Sequence, residues 1–302
     1  MLFITYHYTL NFKIVKMNKL NLKSMLIVLS LSAFVVSCKK EQKKPTEINK
    51  NPQTVEDEIK RLSNEEKSLL PSLVAWYTFN GNNPLEDKSG NGNDISYADA
   101  SRVTGLYGFP KTAYKFNGTS NFMKVQNAES LNPRNGISLV ALVNVDGFYQ
   151  GICHGNRIIS KGYNDYDNGR YVLGYDDNIY YQGNLCYQPV KQDFQNLYGT
   201  YGNNQFQVTS ATNPSFIKTD VWYLIVYTYD GTTSKLYINT ELVDQNELKA
   251  NFNTNSRDLY IGRNEDPLYP YYFNGIMDEL RIYKTKIELP QVQAIYSTLT
   301  NQ

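Results

Sequence analysis

Few residues in this 302-residue chain are suited to covalent chemistry, while 26 tyrosines give it a large capacity for contact. There are two histidines, and His7 stands at the extreme N-terminus, so any histidine-based device has to use His154. A zinc site built from several histidines is excluded, and a Ser-His-Asp or Cys-His arrangement would depend on that one ring. Glycoside hydrolysis needs two carboxyl groups on one cleft wall, one protonated and one ionised. Glu265-Asp266 lies in a loop with Pro267. Asp176-Asp177 ends a strand-like run, where neighbouring residues point to opposite faces. Neither pair makes a catalytic constellation. No catalytic residue is assigned, and His154 reads as a loop or strand-edge residue.

The tyrosines offer different chemistry. A Tyr ring has an apolar face and a polar tip, which suits the C–H faces and hydroxyls of sugars. Residues 163–201 are dense in such groups, with Tyr163, Tyr166, Arg170 and Tyr181 as the leading ligand contacts. Tyr269, Tyr271 and Tyr272 form a second group in a proline-containing loop. Each ring alone is equally suited to packing in a strand, so the clustering carries the expectation. The expected partner is a glycan or cell-surface polysaccharide, with a protein partner as the alternative. The net charge is +1, so the chain lacks the strongly basic balance of a nucleic-acid footprint.

The N-terminus reads as an address. From Met17, the expected true start, Lys19 and Lys23 precede an apolar run over residues 25–36, of signal-peptide length and short for a membrane span. Val35-Val36-Ser37-Cys38 resembles a bacterial lipobox, which implies lipidation of Cys38 and an exported, membrane-anchored lipoprotein. Residues 1–37 carry four lysines and no acid, so a chain starting at Cys38 has 26 basic and 29 acidic groups. Residues 38–72 read as a polar tether. Within it, Thr54 can cap a short helix over 54–70 that packs on the domain or belongs to the stalk. Cys153 and Cys186 are then the remaining thiols. In an oxidising compartment they form a disulfide, or they stay as two buried thiols.

From residue 73 onward the pattern changes to short β-type runs separated by Asn-Gly and Asp-Gly turns. The runs are 73–79, 113–117, 122–126, 137–145, 157–160, 171–176, 221–230, 234–239, 258–263 and 276–284. In 221–230, Trp222, Leu224 and Val226 share one side while Tyr223, Ile225 and Tyr227 share the other, which predicts a central strand covered on both faces. Residues 288–299 alone in this stretch have helical spacing. Ten strands with one closing helix predict an all-β antiparallel sandwich over 73–302.

Four segments resemble one family in order. AWYTFNGNNPLEDKSGNGND (75–94), AYKFNGTSNFMKV (113–125), VWYLIVYTYDGTTSKLYINTELV (221–243), and YIGR with FNGIMDELRIYKTKIELPQVQAIY (260–296) look like the LamG-type, concanavalin A-like jelly roll. The resemblance spans about residues 73–299, loosely over 146–215. It implies a jelly-roll fold, a binding role more than catalysis, and a structural Ca²⁺ where the opening turn meets the closing strand. Asp278 would be its first ligand, with Asn80, Asp87 and the Gly92 carbonyl. Without an ion, Asp87 caps its turn and Asp278 pairs with Arg281 or another base. The E-x-D-x-x-E run of the β-glucanases of this shape is missing from the sequence.

Overall fold

The computed structural model describes residues 52, 54–163, 166–177, 195–202, 208–211, 217–247 and 249–301. The stretch expected to be a signal peptide (1–37), Cys38, Tyr181 and Cys186 therefore lie outside the described residues. One compact unit runs from Pro45 to Gln302.

In chain order the first strands are β1 (Leu73–Tyr77), β2 (Ile95–Ala98), β3 (Ser101–Val103), β4 (Ala113–Asn117) and β5 (Met123–Val125). Next come β6 (Ile137–Gly147), β7 (Asn156–Lys161), β8 (Tyr171–Asp176), β9 (Asn196–Tyr201) and β10 (Val208–Ala211). The last are β11 (Trp222–Tyr229), β12 (Thr233–Ile238), β13 (Glu241–Glu247), β14 (Leu259–Ile261) and β15 (Asn274–Tyr283). Among the described residues three α-helices accompany them: α1 (Val55–Arg61), α2 (Asn64–Leu69) and α3 (Leu289–Thr300). The strands form two antiparallel sheets. Sheet A runs β13-β12-β11-β6-β15-β4-β3, with β1 sharing the β15 edge. Sheet B runs β10-β9-β8-β7-β14-β5-β2. This is the antiparallel sandwich expected from the sequence.

Two apolar layers explain why several strands are hydrophobic on both faces. Between the sheets lie Tyr77, Phe116, Leu139, Ala141, Leu173, Ile225, Tyr227 and Leu259. On the other side of sheet A, Trp76, Val140, Leu142, Leu224 and Val226 meet Leu62, Leu69, Val292 and Ile295 from the helices. The β11 alternation is split between these layers, and β11 sits between β6 and β12.

Residues 54–70 form two helices, where the sequence suggests one. Thr54 Oγ1 accepts the Asp57 amide at 3.2 Å. Ser63 then starts a second helix with a capping box: its hydroxyl accepts from Glu66 N at 3.1 Å, and Glu66 Oε2 accepts from Ser63 N at 3.0 Å. Leu62 and Leu69 are buried against sheet A, each contributing about 1.5–3 kcal/mol by apolar transfer. The segment thus packs on the domain. Among the described residues no helix is long and apolar enough to cross a membrane.

The opening turn protects the free edge of β1. Asp87 Oδ1 accepts from Trp76 N and Ser89 N, both at 2.9 Å. Its Oδ2 accepts from Ser89 Oγ at 2.7 Å and Asn93 N at 3.0 Å. Asn93 Nδ2 and Asn91 Nδ2 donate to the Val74 carbonyl at 2.8 and 3.1 Å. Side chains of this Asp/Ser/Asn-rich turn thereby replace the neighbouring strand that β1 lacks on that side.

Candidate functional site

Two connections meet on the solvent side of sheet B. The first is the β14–β15 loop. Asn264 N donates to the Pro270 carbonyl at 2.7 Å and Phe273 N to the Gly262 carbonyl at 2.9 Å, which closes its ends. Gly262 starts it at φ +83°, and a Cβ there would meet the Phe116 ring at 2.5 Å, so glycine is required. Ser160 Oγ donates to Asn264 Oδ1 at 3.0 Å, and Arg157 N donates to the Tyr271 carbonyl at 2.9 Å, tying the loop to β7. Held this way, the loop presents Leu268, 70% exposed, and Tyr269, 40% exposed.

The second is the β7–β8 turn. Tyr163 N donates to Asp167 Oδ2 at 2.6 Å, and Arg257 Nε donates to the same oxygen at 3.2 Å. The Arg257 guanidinium lies 5.1 Å from the Tyr163 ring centroid, within cation–π range. Behind the turn, buried Lys161 donates from Nζ to Asn255 Oδ1 at 2.6 Å, the Asn255 carbonyl at 3.1 Å and Asn132 Oδ1 at 3.3 Å. Burial holds its ammonium down at about 8. Burial also raises the Glu265 carboxyl, against the pull of Arg257. Tyr166 projects outward, 75% exposed.

The sequence-derived contacts therefore separate. Tyr166 and Tyr269 present open ring surface, and Tyr163 is half-buried under Arg257. Arg170 is buried, its stem against Gly162. Tyr271 is only 8% exposed and packs on Gly155, with the Arg157 guanidinium 4.5 Å from its ring centroid. Tyr272 is half-buried beneath Arg263 and beside Tyr149. Arg170, Tyr271 and Tyr272 thus support the surface more than they form it.

The residues proposed for Ca²⁺ do not fit an ion, which takes six to eight oxygens. Both Asp87 oxygens already accept from four donors in the opening turn. Gly92 lies in that turn at φ +72°. Asn80 and Asp278 line one cavity under α1, where Asn80 Nδ2 donates to Glu58 at 2.9 Å and Asp278 Oδ2 accepts from Leu106 N at 2.6 Å. Among the described residues no three His, Cys, Asp or Glu side chains are grouped to hold a metal.

Two further reactive groups are held in buried contacts. His154 Nδ1 is 2.8 Å from Asp177 Oδ2, and both residues are buried at the end of β8. Cys153 is in a disulfide, so it offers His154 no free thiol. The expected partner, Cys186, is outside the described residues.

A family model described as the concanavalin A-like lectin/glucanases superfamily matches residues 117–293. The chain belongs to this superfamily. A comparison with curated proteins found no match. Among solved structures, this lectin/glucanase-type chain resembles the binding domain of Paraclostridial mosquitocidal protein 1, with TM-score 0.56 and 16% identity over 76% of this chain and 53% of that one. It also resembles botulinum neurotoxin type C, whose cell entry depends on interaction with two ganglioside molecules, with TM-score 0.56 and 15% identity over 77% and 52%. Domain 4 of AbnA, an extracellular arabinanase from Geobacillus stearothermophilus, in complex with arabinotriose, has TM-score 0.52 and 20% identity over 74% and 98%. The chain spans about half the length of the two toxin structures it matches. At these identities the likeness is one of fold.

Sequence reasoning missed Arg257, Arg263, Tyr97, Phe122 and Tyr149 around this surface. A signal was present for Tyr260: in Leu259-Tyr260-Ile261 the flanking residues point into the core and the tyrosine points out.

Proposed function

We propose that this domain is a non-catalytic carbohydrate-binding module, and that its sugar contacts lie on the β7–β8 turn and the β14–β15 loop. The observation that carries the reading is that Tyr166 and Tyr269 stand open to solvent on two connections held by hydrogen bonds. Binding loops on a rigid scaffold are the common arrangement for recognition. Tyrosine faces would meet the C–H faces of a sugar, while Asp167, Glu265 and Arg257 at the rim would meet its hydroxyls. The relatives named for gangliosides and arabinotriose support carbohydrate as the ligand class. The lipobox-like Val35–Cys38 stretch supports export and membrane anchoring through Cys38.

Affinity electrophoresis through gels containing arabinan, xylan, laminarin or dextran tests this. The chain is expected to be retarded by at least one polymer, and Tyr166→Ala or Tyr269→Ala to lose roughly two- to tenfold in affinity. Equal retention of wild type and both variants would remove the loops from the site.

A further inference from the structure

Tyr97, Phe122, Tyr149, Tyr260 and Tyr272 belong to neither apolar core, yet they form one contact series on the outer side of sheet B. Tyr97 stacks on Phe122 with ring centroids 4.7 Å apart and planes 29° from parallel. Phe122 is 5.9 Å from Tyr260, at 34°. The Arg263 guanidinium joins the next ring, at 4.8 Å from Phe122, 5.4 Å from Tyr260 and 5.6 Å from Tyr272. From Tyr272 the series continues to Tyr149 at 6.0 Å, Tyr271 at 6.4 Å and Tyr269 at 6.1 Å. Its two end rings, Tyr97 at 44% and Tyr269 at 40%, are the exposed ones.

The end at Tyr97 is held in place. Its hydroxyl donates to Asp99 Oδ2 at 3.2 Å, while Asp99 Oδ1 accepts from Phe122 N at 2.7 Å. Arg263 is fixed in turn, donating from Nε to the Asn264 carbonyl at 2.6 Å and from Nη2 to the Glu265 carbonyl at 3.0 Å. Among the described residues strand β2 ends sheet B, and no further strand pairs with it on the side away from β5. A ring already stacked from behind loses little rotamer freedom when a ligand covers its open face. Isolated exposed aromatics are ordinary on protein surfaces. A supported ring at each end of a continuous series has the form of two linked contact positions.

We propose that Tyr97 is a second sugar-stacking position, and that the ligand is an internal stretch of an extended polysaccharide reaching from Tyr97 to Tyr269, not a single terminal sugar. The proposal rests on the carbohydrate-binding reading above and adds the ligand's form to it. Two weak contacts joined by one chain strengthen each other as an intramolecular second binding step. Affinity should therefore rise with chain length until both rings are covered.

The test is isothermal titration with whichever of arabinan, xylan, laminarin or dextran retards the wild type, and with its trisaccharide and longer fragments. The expected result is tighter binding of the polymer than of the trisaccharide. Tyr97→Ala and Tyr97→Leu should each weaken polymer binding roughly two- to tenfold, and Tyr97→Phe should keep it. Trisaccharide binding lost on Tyr269→Ala should survive Tyr97→Ala. Equal polymer affinity in wild type and both Tyr97 replacements would overturn the proposal and leave the loop reading standing. Equal affinity for trisaccharide and polymer would do the same. Wild type retained by none of the four polymers would overturn both readings and turn attention to a protein partner.

Discussion

Asp278 shows how a residue marked out for one role serves another. The sequence places it on the closing strand, where the resemblance to LamG-type jelly rolls implies a cation. In the fold its oxygen lies against Gly105, where a Cβ would come within 2.3 Å of it, and it caps the Leu106 amide. Burial raises its carboxyl to about 7; the Leu106 hydrogen bond opposes this, and Glu279 and Glu58 add to it. The folded chain therefore holds this proton more tightly than the unfolded chain does. That contribution to stability is complete below the ordinary carboxylate range, about pH 4, and is lost as pH rises through about 7. Thermal unfolding should show the wild type losing Tm relative to Asp278→Asn as pH climbs from about 4 to about 8. Parallel curves for the two proteins would contradict this.

At the scale of elements, the strand runs and closing helix were legible because their side chains alternate cleanly. Residues 171–176 are the clearest case, with Tyr171, Leu173 and Tyr175 all in the inter-sheet core. Strands β2, β3 and β13 were harder, since they are short or largely exposed and carry polar residues on both faces. The break between α1 and α2 was hidden by an apolar spacing that passes through Leu62 without interruption; Ser63 and Glu66 were the available signal. Arg281 joins these elements, and its partner is Glu279, not Asp278. Its Nε donates to Glu279 Oε1 at 2.6 Å and its Nη1 to Glu66 Oε1 at 2.9 Å, all three groups buried. Trp76 Nε1 donates to the same Glu279 oxygen at 2.5 Å. Removing the guanidinium leaves two buried carboxylates without their counter-charge. Arg281→Met is expected to cost about 3–5 kcal/mol in urea unfolding; a loss under about 1 kcal/mol would show that the helices dock without this network.

For the whole molecule, the sandwich was readable from four ordered segments, because strand pattern and turn chemistry agreed along the chain. The site was readable only as a composition. Counting tyrosines in 163–201 and 269–272 could not separate Tyr166 and Tyr269, which face solvent, from Tyr271, which packs under Arg157. It also missed Tyr97 and Phe122, because their meeting with Arg263 depends on β2, β5 and β14 being neighbours in sheet B. The most direct measurement is hydrogen–deuterium exchange with and without the polysaccharide that retards the chain. Carbohydrate recognition on the solvent side of sheet B predicts new protection at residues 97–99, 121–124, 163–168 and 263–272, with α1, α2 and α3 unchanged. Protection confined to the helix layer over sheet A would place the ligand on the opposite side and contradict it.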